Sequence, residues 1–253
     1  ANAMLVLGLV IVVGARRSRD GMMRFSHRLP RDTTTLLLVA VFIIVLLGLS
    51  LASHDPASHH VKAISAVGAV SLLVVYIAWV VPYLRADTRP AVGPGDAPAR
   101  PRLSLSATLT LLMTGGVASA FVSDWFVSAL SPAINQLGLS QAFAGLVIVA
   151  IAGNAVENFA GLVLAWKGKS DLAISVVKNS VAQIAAFLFP LLVLISFLLA
   201  TTLTFALAPV YIGALLVMAL AMWQVTGDGE AAEFEGWALV ALYVILATLT
   251  LYE

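Results

Sequence analysis

The sequence predicts an all-α protein that crosses a membrane several times. Of its 253 residues, 61% are hydrophobic and only 11% are charged, whereas a soluble domain is nearer half apolar and a quarter charged. The long apolar runs have the length of a membrane-spanning helix, roughly 20 residues, and the ten-residue alternation of a membrane strand is absent. Because lipid offers no hydrogen bonds to the backbone, such runs must be helical. The absence of cysteine excludes disulfides and thiolate metal sites, and the net charge of +1 gives no reason to expect a nucleic-acid partner.

The apolar runs predict seven full spans and one partial one. The full spans are expected at residues 34–52, 62–84, 106–130, 141–166, 172–200, 207–225 and 234–252. The run at 3–14 is too short to cross, and we interpret it as the tail of a helix that begins upstream of residue 1.

The basic residues predict which ends of these spans face the cytoplasm. Segments 15–33 and 85–105 and the turn after Trp166 hold 12 of the 14 lysines and arginines, and all three fall on one side if every span crosses. By the positive-inside rule this side is cytoplasmic, and a cell (inner) membrane is the expected location. Segment 85–105 is rich in proline, alanine and glycine, which predicts a flexible linker that divides the chain into parts 1–84 and 106–253.

Polar side chains interrupt the span at 141–166. Asn154, Glu157, Asn158 and Gly161 follow the spacing i, i+3, i+4, i+7, which places them on one face of a helix. A carboxylate at the centre of a membrane helix costs roughly 2.5–3.5 kcal/mol, so its charge must be compensated. Carboxylate and amide oxygens are suitable ligands for Ca²⁺ or Na⁺, and Glu157 could instead take up a proton. The alternative is a glutamate that only forms a hydrogen bond to a neighbouring helix; we favour a cation site with Glu157 and Asn154 as metal ligands.

The next span carries a second polar stripe. Ser175, Asn179 and Gln183 are spaced by four residues, and Ser180 lies three residues before Gln183. A short turn joins the two spans, so their polar faces are expected to meet at mid-membrane. Pro190 is expected to loosen the helix beyond this stripe and free carbonyl groups that could act as ligands.

Three other polar groups are weaker candidates. Asp124, inside the span at 106–130, could line a vestibule, relay protons or satisfy a neighbour. The histidines near Asp55 could bind a metal, but a solvated loop is favoured, and the acidic segment 228–235 is interpreted as a solvated turn rather than a cation-attracting mouth. Phosphate-binding loops, zinc-ligand spacing and a nucleophile elbow are all absent, so we do not expect an enzyme or a resident cofactor.

These motifs carry a family resemblance. The stretch "FAGLVIVAIAGNAVENFAGLVLAWKGKSDLAISVVKNSVAQIAAF" resembles the second signature repeat of the calcium/cation antiporter superfamily, and its calcium/proton exchanger branch is the most similar. The blocks "SDWFVSAL", "LGLS" and "DGEAAEFEGWALVALYVILA" are similar to further family segments. The start, "ANAMLVLGLVIVVGA", resembles the end of the first repeat.

The resemblance implies an inverted-repeat cation exchanger fold whose N-terminal repeat is largely missing from this sequence. It implies a secondary-active antiporter that exchanges Ca²⁺ or a related cation for protons by alternating access. Glu157 then matches the acid that binds cation and proton in turn, Asn154 the signature asparagine, and Ser180 and Gln183 the polar pair on the partner helix. Asn2 matches the asparagine that closes the first repeat, and the first-repeat glutamate is expected upstream of residue 1.

The sequence departs from the family pattern at Lys178, Asn179, Val181 and Asn158. Lys178 is expected either to extend back to the cytoplasmic surface or to pair with Glu157 or Asp124, where its charge would compete with a divalent ion. Two alternatives therefore stay open: a sodium-coupled or monovalent cation exchanger on the same fold, and a truncated, non-transporting membrane subunit. The expected partners are membrane lipid, the transported cation and protons; no oligomeric state is predicted.

Overall fold

The computed structural model of the chain describes residues 1–26, 28–87 and 104–253, and helices dominate all three ranges. The linker predicted at 85–105 therefore lies mostly outside the described residues. The helices are α1 (Leu7–Arg17, entered through a π-helical turn at Asn2–Val6), α2 (Arg28–Ala52), α3 (Val61–Asp87, after a 3-10 turn at Pro56–His60), α4 (Leu105–Leu137), α5 (Gln141–Gly153), α6 (Ala155–Trp166), α7 (Ser170–Ser196), α8 (Pro209–Thr226) and α9 (Glu233–Leu251).

Six of the described helices are long and apolar enough to cross a membrane, and there are seven such spans if α5 and α6 are counted together as one broken span. By length and composition this confirms an all-α, multi-pass membrane protein, and six of the seven spans expected from hydropathy correspond to single long helices. Helix α1, with the turn that precedes it, is shorter than a span, as predicted.

The span predicted at 141–166 is not one continuous helix. It bends by 63° between α5 and α6, and Asn154 at the break has φ −113° and ψ 21°. The cause is local, because Asn154 Nδ2 donates to the Ala150 carbonyl at 3.1 Å, the acceptor that the Asn154 backbone N–H would use in a helix. An asparagine that bonds its own backbone in this way competes with the helix ladder. The prediction that Asn154 shares one continuous helix face with Glu157 and Gly161 is therefore wrong.

A short antiparallel ribbon ties together the basic end of the molecule. Strand β1 (Met22–Arg24) pairs with β2 (Glu230–Ala232), and Met23 lies opposite Ala231. Arg16 Nε lies 2.7 Å from a carboxylate oxygen of Glu233. Part of the acidic segment thus forms β2, which pairs with the arginine-rich segment and leads directly into α9. A solvated turn was predicted here, and the strand pairing was not.

The other loops meet at the opposite end. The Phe205 backbone N–H donates to Ser65 Oγ at 3.2 Å, and the Ser140 hydroxyl donates to the Thr250 carbonyl. Asp55 accepts from the Ala57 N–H at 2.9 Å and caps the 3-10 turn. The described ranges contain no cluster of three or more histidine, aspartate or glutamate side chains that could hold a metal ion.

Helix α1 lies at the centre of the packing. Leu7, Val10 and Ile11 are fully buried, and α1 crosses α9 with glycines at the contact. A Cβ added to Gly8 would lie 2.6 Å from the Gly236 carbonyl oxygen, and one added to Gly236 would lie 2.7 Å from that of Gly8. Such close backbone approach is typical of membrane helix pairs. The start of α1 is thereby held among the other helices.

Candidate functional site

Three segments meet at the start of α1. Asn2 Nδ2 donates to Ser180 Oγ of α7 at 2.9 Å, and Ser180 Oγ lies 3.4 Å from Asn154 Oδ1 at the α5–α6 break. Asn2 and Ser180 are both buried, with 7% and 8% of their surface exposed. We name Asn2, Ser180 and Asn154 the polar layer. It links the first part of the chain to both polar segments predicted from the sequence.

Irregular backbone surrounds the polar layer. One π-helical turn begins at Asn2 (Asn2–Val6), a second follows Gln183 (Ile184–Leu188), and a third precedes the break (Ala144–Val149). The second lies just before Pro190, where loosening was expected. Wide turns of this kind are frequent at functional sites, because they redirect side chains and carbonyl groups.

Glu157 lies in the first turn of α6, three residues beyond the break. Its side chain is half-buried. The hydrogen bonds and ion pairs of the described part of the chain do not include its carboxylate. The positive end of the α6 dipole stabilises negative charge at this position. The carboxylate is therefore available to bind a cation or a proton.

Three asparagine carbonyl oxygens near Glu157 and Ser180 have no hydrogen-bond donor. Asn2 Oδ1, Asn158 Oδ1 and Asn179 Oδ1 are buried without a partner in the described chain. Asn158 Nδ2, by contrast, donates to the Ile151 carbonyl at 3.3 Å and spans the break. Buried acceptors normally find a donor, so oxygens left without one suit a hard cation substrate such as Ca²⁺ or Na⁺.

A cavity of about 420 Å³ adjoins the polar layer. Its lining is mostly apolar, and Asn2 and Asn154 are its polar side chains. It extends to Leu207, in the connection between α7 and α8. The polar layer thus faces a space directed away from the basic end.

The structure does not bring every predicted residue to this layer. Gln183 is exposed and lies beside Tyr76 of α3. Ser175 donates its hydroxyl to the Asp171 carbonyl of its own helix. Asp124 is exposed on α4, where only Ile134 is buried. Of the α7 stripe, Ser180 therefore belongs to the polar layer, whereas Ser175 and Gln183 do not.

Lys178 follows neither predicted alternative. Its side chain is fully buried, with 0% exposed, so it does not reach the surface. Nζ donates to Thr34 Oγ1 of α2 at 2.9 Å and to Thr226 Oγ1 of α8 at 2.6 Å. These two hydrogen bonds lead to hydroxyl groups rather than to the carboxylates of Glu157 or Asp124. The two threonines could not be identified as its partners from their spacing, because a lone membrane threonine usually bonds its own helix.

Comparison with known proteins agrees with this geometry. Residues 107–252 match the family described as "Sodium/calcium exchanger protein", and this region contains Asn154, Glu157 and Ser180. The chain belongs to the sodium/calcium exchanger protein family.

Relatives of this exchanger chain extend the match beyond residues 107–252. It is 33% identical over 147 residues to the Ca(2+)/H(+) antiporter ChaA of Bacillus subtilis, covering 58% of this chain and 42% of the relative. It is 28% identical over 261 residues to the vacuolar calcium ion transporter of Schizosaccharomyces pombe, covering 100% of this chain and 62% of that protein. The exchanger chain thus spans between 42% and 62% of the length of these two curated relatives.

A solved structure confirms the cation exchanger fold. Native YfkE superposes with a TM-score of 0.77 and 26% sequence identity, and the match covers 100% of this exchanger chain and 72% of YfkE. The arrangement of α1 against α9 and α7 therefore belongs to a known fold. The polar layer lies inside that fold rather than on its surface.

Proposed function

We propose that the chain forms part of a secondary-active antiporter that exchanges Ca²⁺, or a related cation, for protons across a cell (inner) membrane. The observation that carries this proposal is Glu157, a half-buried carboxylate without a hydrogen-bond or ion-pair partner among the described residues. The same helix turn also presents Asn158 Oδ1 without a donor. The names of the relatives in Bacillus subtilis and Schizosaccharomyces pombe support Ca²⁺ as the cation. We expect transport rather than chemistry on a covalent bond.

In the proposed cycle the cation is bound by the Glu157 carboxylate and by asparagine carbonyl oxygens. Asn154 and Asn158, the asparagines closest to Glu157 in sequence, are the first candidates for these oxygens. Protonation of Glu157 removes its negative charge and so weakens cation binding. A proton on one side of the membrane thereby releases the cation, and loss of the proton on the other side restores the site. The break at Asn154 separates α5 from α6, which allows the two segments to shift relative to each other while Glu157 stays on α6.

The test is proton-driven ⁴⁵Ca²⁺ uptake into inverted membrane vesicles that contain the protein. Glu157→Gln keeps the size of the side chain and removes its charge, so we expect uptake to fall to background while the protein stays folded. Glu230→Gln makes the same chemical change in the exposed ribbon and is expected to keep wild-type uptake. Uptake that persists in Glu157→Gln would refute the mechanism.

A second candidate is a sodium-coupled or monovalent cation/proton exchanger. Lys178, two residues before Ser180 on α7, favours it, because a positive charge at this position would repel a divalent ion more than a monovalent one. Uptake of ²²Na⁺ in the same vesicles, with the same two variants, tests this candidate. A protein that moves neither ion would instead be a non-transporting subunit.

A further inference from the structure

A polar pocket opens at the basic end of the molecule, away from the polar layer. It has a volume of about 340 Å³ and lies where the end of α1, strand β1 and the turn between α6 and α7 meet. Its polar lining comes from Arg17, Ser18, Arg24, Gly168 and Ser170. A cavity of this size falls in the range of small-molecule sites in proteins. The proposed transport cycle assigns no role to it.

The two arginines of this pocket differ in how their charges are compensated. Arg24 lies 2.7 Å from Asp20 Oδ2 and 3.5 Å from Glu230 Oε2, so carboxylates neutralise its charge. Arg17 Nη1 instead donates to the Trp166 carbonyl at 2.7 Å, and this acceptor carries no net charge. The ion pairs of the described residues do not include Arg17. A guanidinium has five N–H donors, so Arg17 keeps both its charge and further donors for an anionic ligand.

The turn between α6 and α7 brings a second kind of donor to the pocket. Gly168 has φ +74°, in the left-handed region, and a Cβ added there would lie 3.0 Å from Arg17 Nε. Glycine therefore lets the guanidinium lie directly against the turn. Ser170 begins α7, whose N-terminus has no side-chain cap, so its first backbone N–H groups can donate to an anion. The Asp171 carboxylate accepts from the Ser26 N–H and is not part of the pocket lining.

Exposed tryptophans indicate the depth of the pocket in the membrane. Trp166, Trp223 and Trp237 are 72%, 54% and 45% exposed. Trp166 ends α6 beside Arg17, and Trp223 lies in the last turn of α8, just before β2. The Trp237 ring lies 5.7 Å from the Arg16 guanidinium carbon. Since tryptophan concentrates at the level of the lipid headgroups, the pocket lies at that level, where a lipid phosphate is the nearest anion.

We propose that this pocket binds the phosphate group of an anionic phospholipid in the leaflet at the basic end. The Arg17 guanidinium pairs with the phosphate oxygens, and the Ser18 hydroxyl and the Ser170 backbone N–H donate to them. Lys167 and Lys169 are exposed and take part in none of the ion pairs of the described chain, so they attract anionic lipid to this end. The site does not depend on which ion the protein transports.

The experiment is native mass spectrometry of the detergent-solubilised protein, titrated with phosphatidylglycerol. We expect one lipid to bind more tightly than all others, and phosphatidylcholine, whose headgroup has no net charge, to lack this tight site. Inorganic phosphate in excess distinguishes a lipid site from a site for a dissolved anion, because it lacks acyl chains and should not displace the lipid. Equal binding of the two lipids, or displacement by inorganic phosphate, would overturn the assignment to an anionic lipid.

Three variants separate a defined site from diffuse attraction. Arg17→Gln should weaken phosphatidylglycerol binding about tenfold, because it removes charge-assisted hydrogen bonds. Arg19→Gln is the matched control, since Arg19 is exposed in the same segment but does not line the pocket; at about 0.15 M salt we expect a loss of about twofold or less. Ser170→Pro removes one N–H at the first helical position, where proline is tolerated, and changes no charge. It should weaken binding more than Arg19→Gln does, even if Arg17→Gln does not fold.

The comparison of these variants decides the proposal. Equal losses in Arg17→Gln and Arg19→Gln would show that lipid is attracted only by the overall charge of the basic end, and would overturn the site. Wild-type binding in Ser170→Pro would likewise exclude the start of α7 as part of it.

Discussion

The polar layer makes a quantitative prediction about stability. Ser180→Ala removes the hydroxyl that accepts from Asn2 Nδ2 at 2.9 Å and that contacts Asn154 Oδ1 at 3.4 Å. The first of these bonds dominates, because the second is near the limit for a hydrogen bond. Asn2 Oδ1 already lacks a partner. The substitution would therefore leave the whole Asn2 amide buried and unpaired.

Two estimates set the expected loss in the free energy of unfolding. Hydrogen bonds between membrane helices contribute about 0.6 kcal/mol on average and up to about 1.7 kcal/mol. A buried donor that loses its partner costs about 1–3 kcal/mol. Because Asn2 is left with no hydrogen bond from either amide atom, we expect the free energy of unfolding to fall by about 1.5 kcal/mol, toward the upper end of the range for membrane helices. For a chain of this size that corresponds to a decrease in Tm of about 3–6 °C.

The assay is thermal unfolding in detergent, followed by the fraction of protein that still elutes as a monodisperse peak. Ser131→Ala is the matched control, because the Ser131 hydroxyl donates only to the Val127 carbonyl of its own helix, at 3.1 Å. Its Tm should stay within about 1 °C of wild type, since surface substitutions usually change stability by less than about 0.5 kcal/mol. Equal shifts in the two variants would refute a structural role for the Asn2–Ser180 bond.

Two other contacts give independent predictions. Gly236→Ala directs a methyl group at the Gly8 carbonyl oxygen, 2.7 Å away. Because overpacking of this kind costs about 1–3 kcal/mol, we expect Tm to fall. Gly213→Ala is the control, since an added Cβ there has nothing within 4 Å and should not lower Tm; an unchanged Tm in Gly236→Ala would contradict the observed packing of α1 on α9. Arg16→Gln breaks the ion pair between Arg16 and Glu233, and we expect a smaller decrease in Tm than in Gly236→Ala. This decrease should disappear in about 0.5 M salt, because exposed charges are screened. A decrease that persists in high salt would exclude an electrostatic origin.

The spans could be predicted from the sequence because hydropathy and helix length are set by the bilayer rather than by tertiary contacts. The basic residues also predicted correctly that the arginine-rich segment and the turn after Trp166 lie at the same end, where Arg17 donates to the Trp166 carbonyl at 2.7 Å. The break at Asn154 could be predicted only in part. Its residue types indicated a polar face, but only the side-chain bond to the Ala150 carbonyl shows why the helix ends there.

The ribbon between β1 and β2 lay beyond prediction for a different reason. Three-residue strands carry almost no period, and their pairing joins segments about two hundred residues apart. The partners of Lys178 are a similar case. Thr34 and Thr226 have no distinctive spacing, so the sequence allowed only the two alternatives in which the lysine reaches the surface or a carboxylate. Long-range contacts between chemically ordinary residues decide such positions.

The position of Asn2 connects the proposed cycle to the packing of α1. Within the described residues, Asn2 is the only polar side chain of α1 and its leading turn that contacts the polar layer. Further along, α1 packs closely against α9 at Gly8. A shift of α7 along its axis would therefore break the Asn2–Ser180 bond before it moved α1. In the proposed cycle this makes Asn2 a fixed reference against which Ser180 and the α5–α6 break can move. A variant with a locked contact at this point would bind the cation yet fail to carry it across.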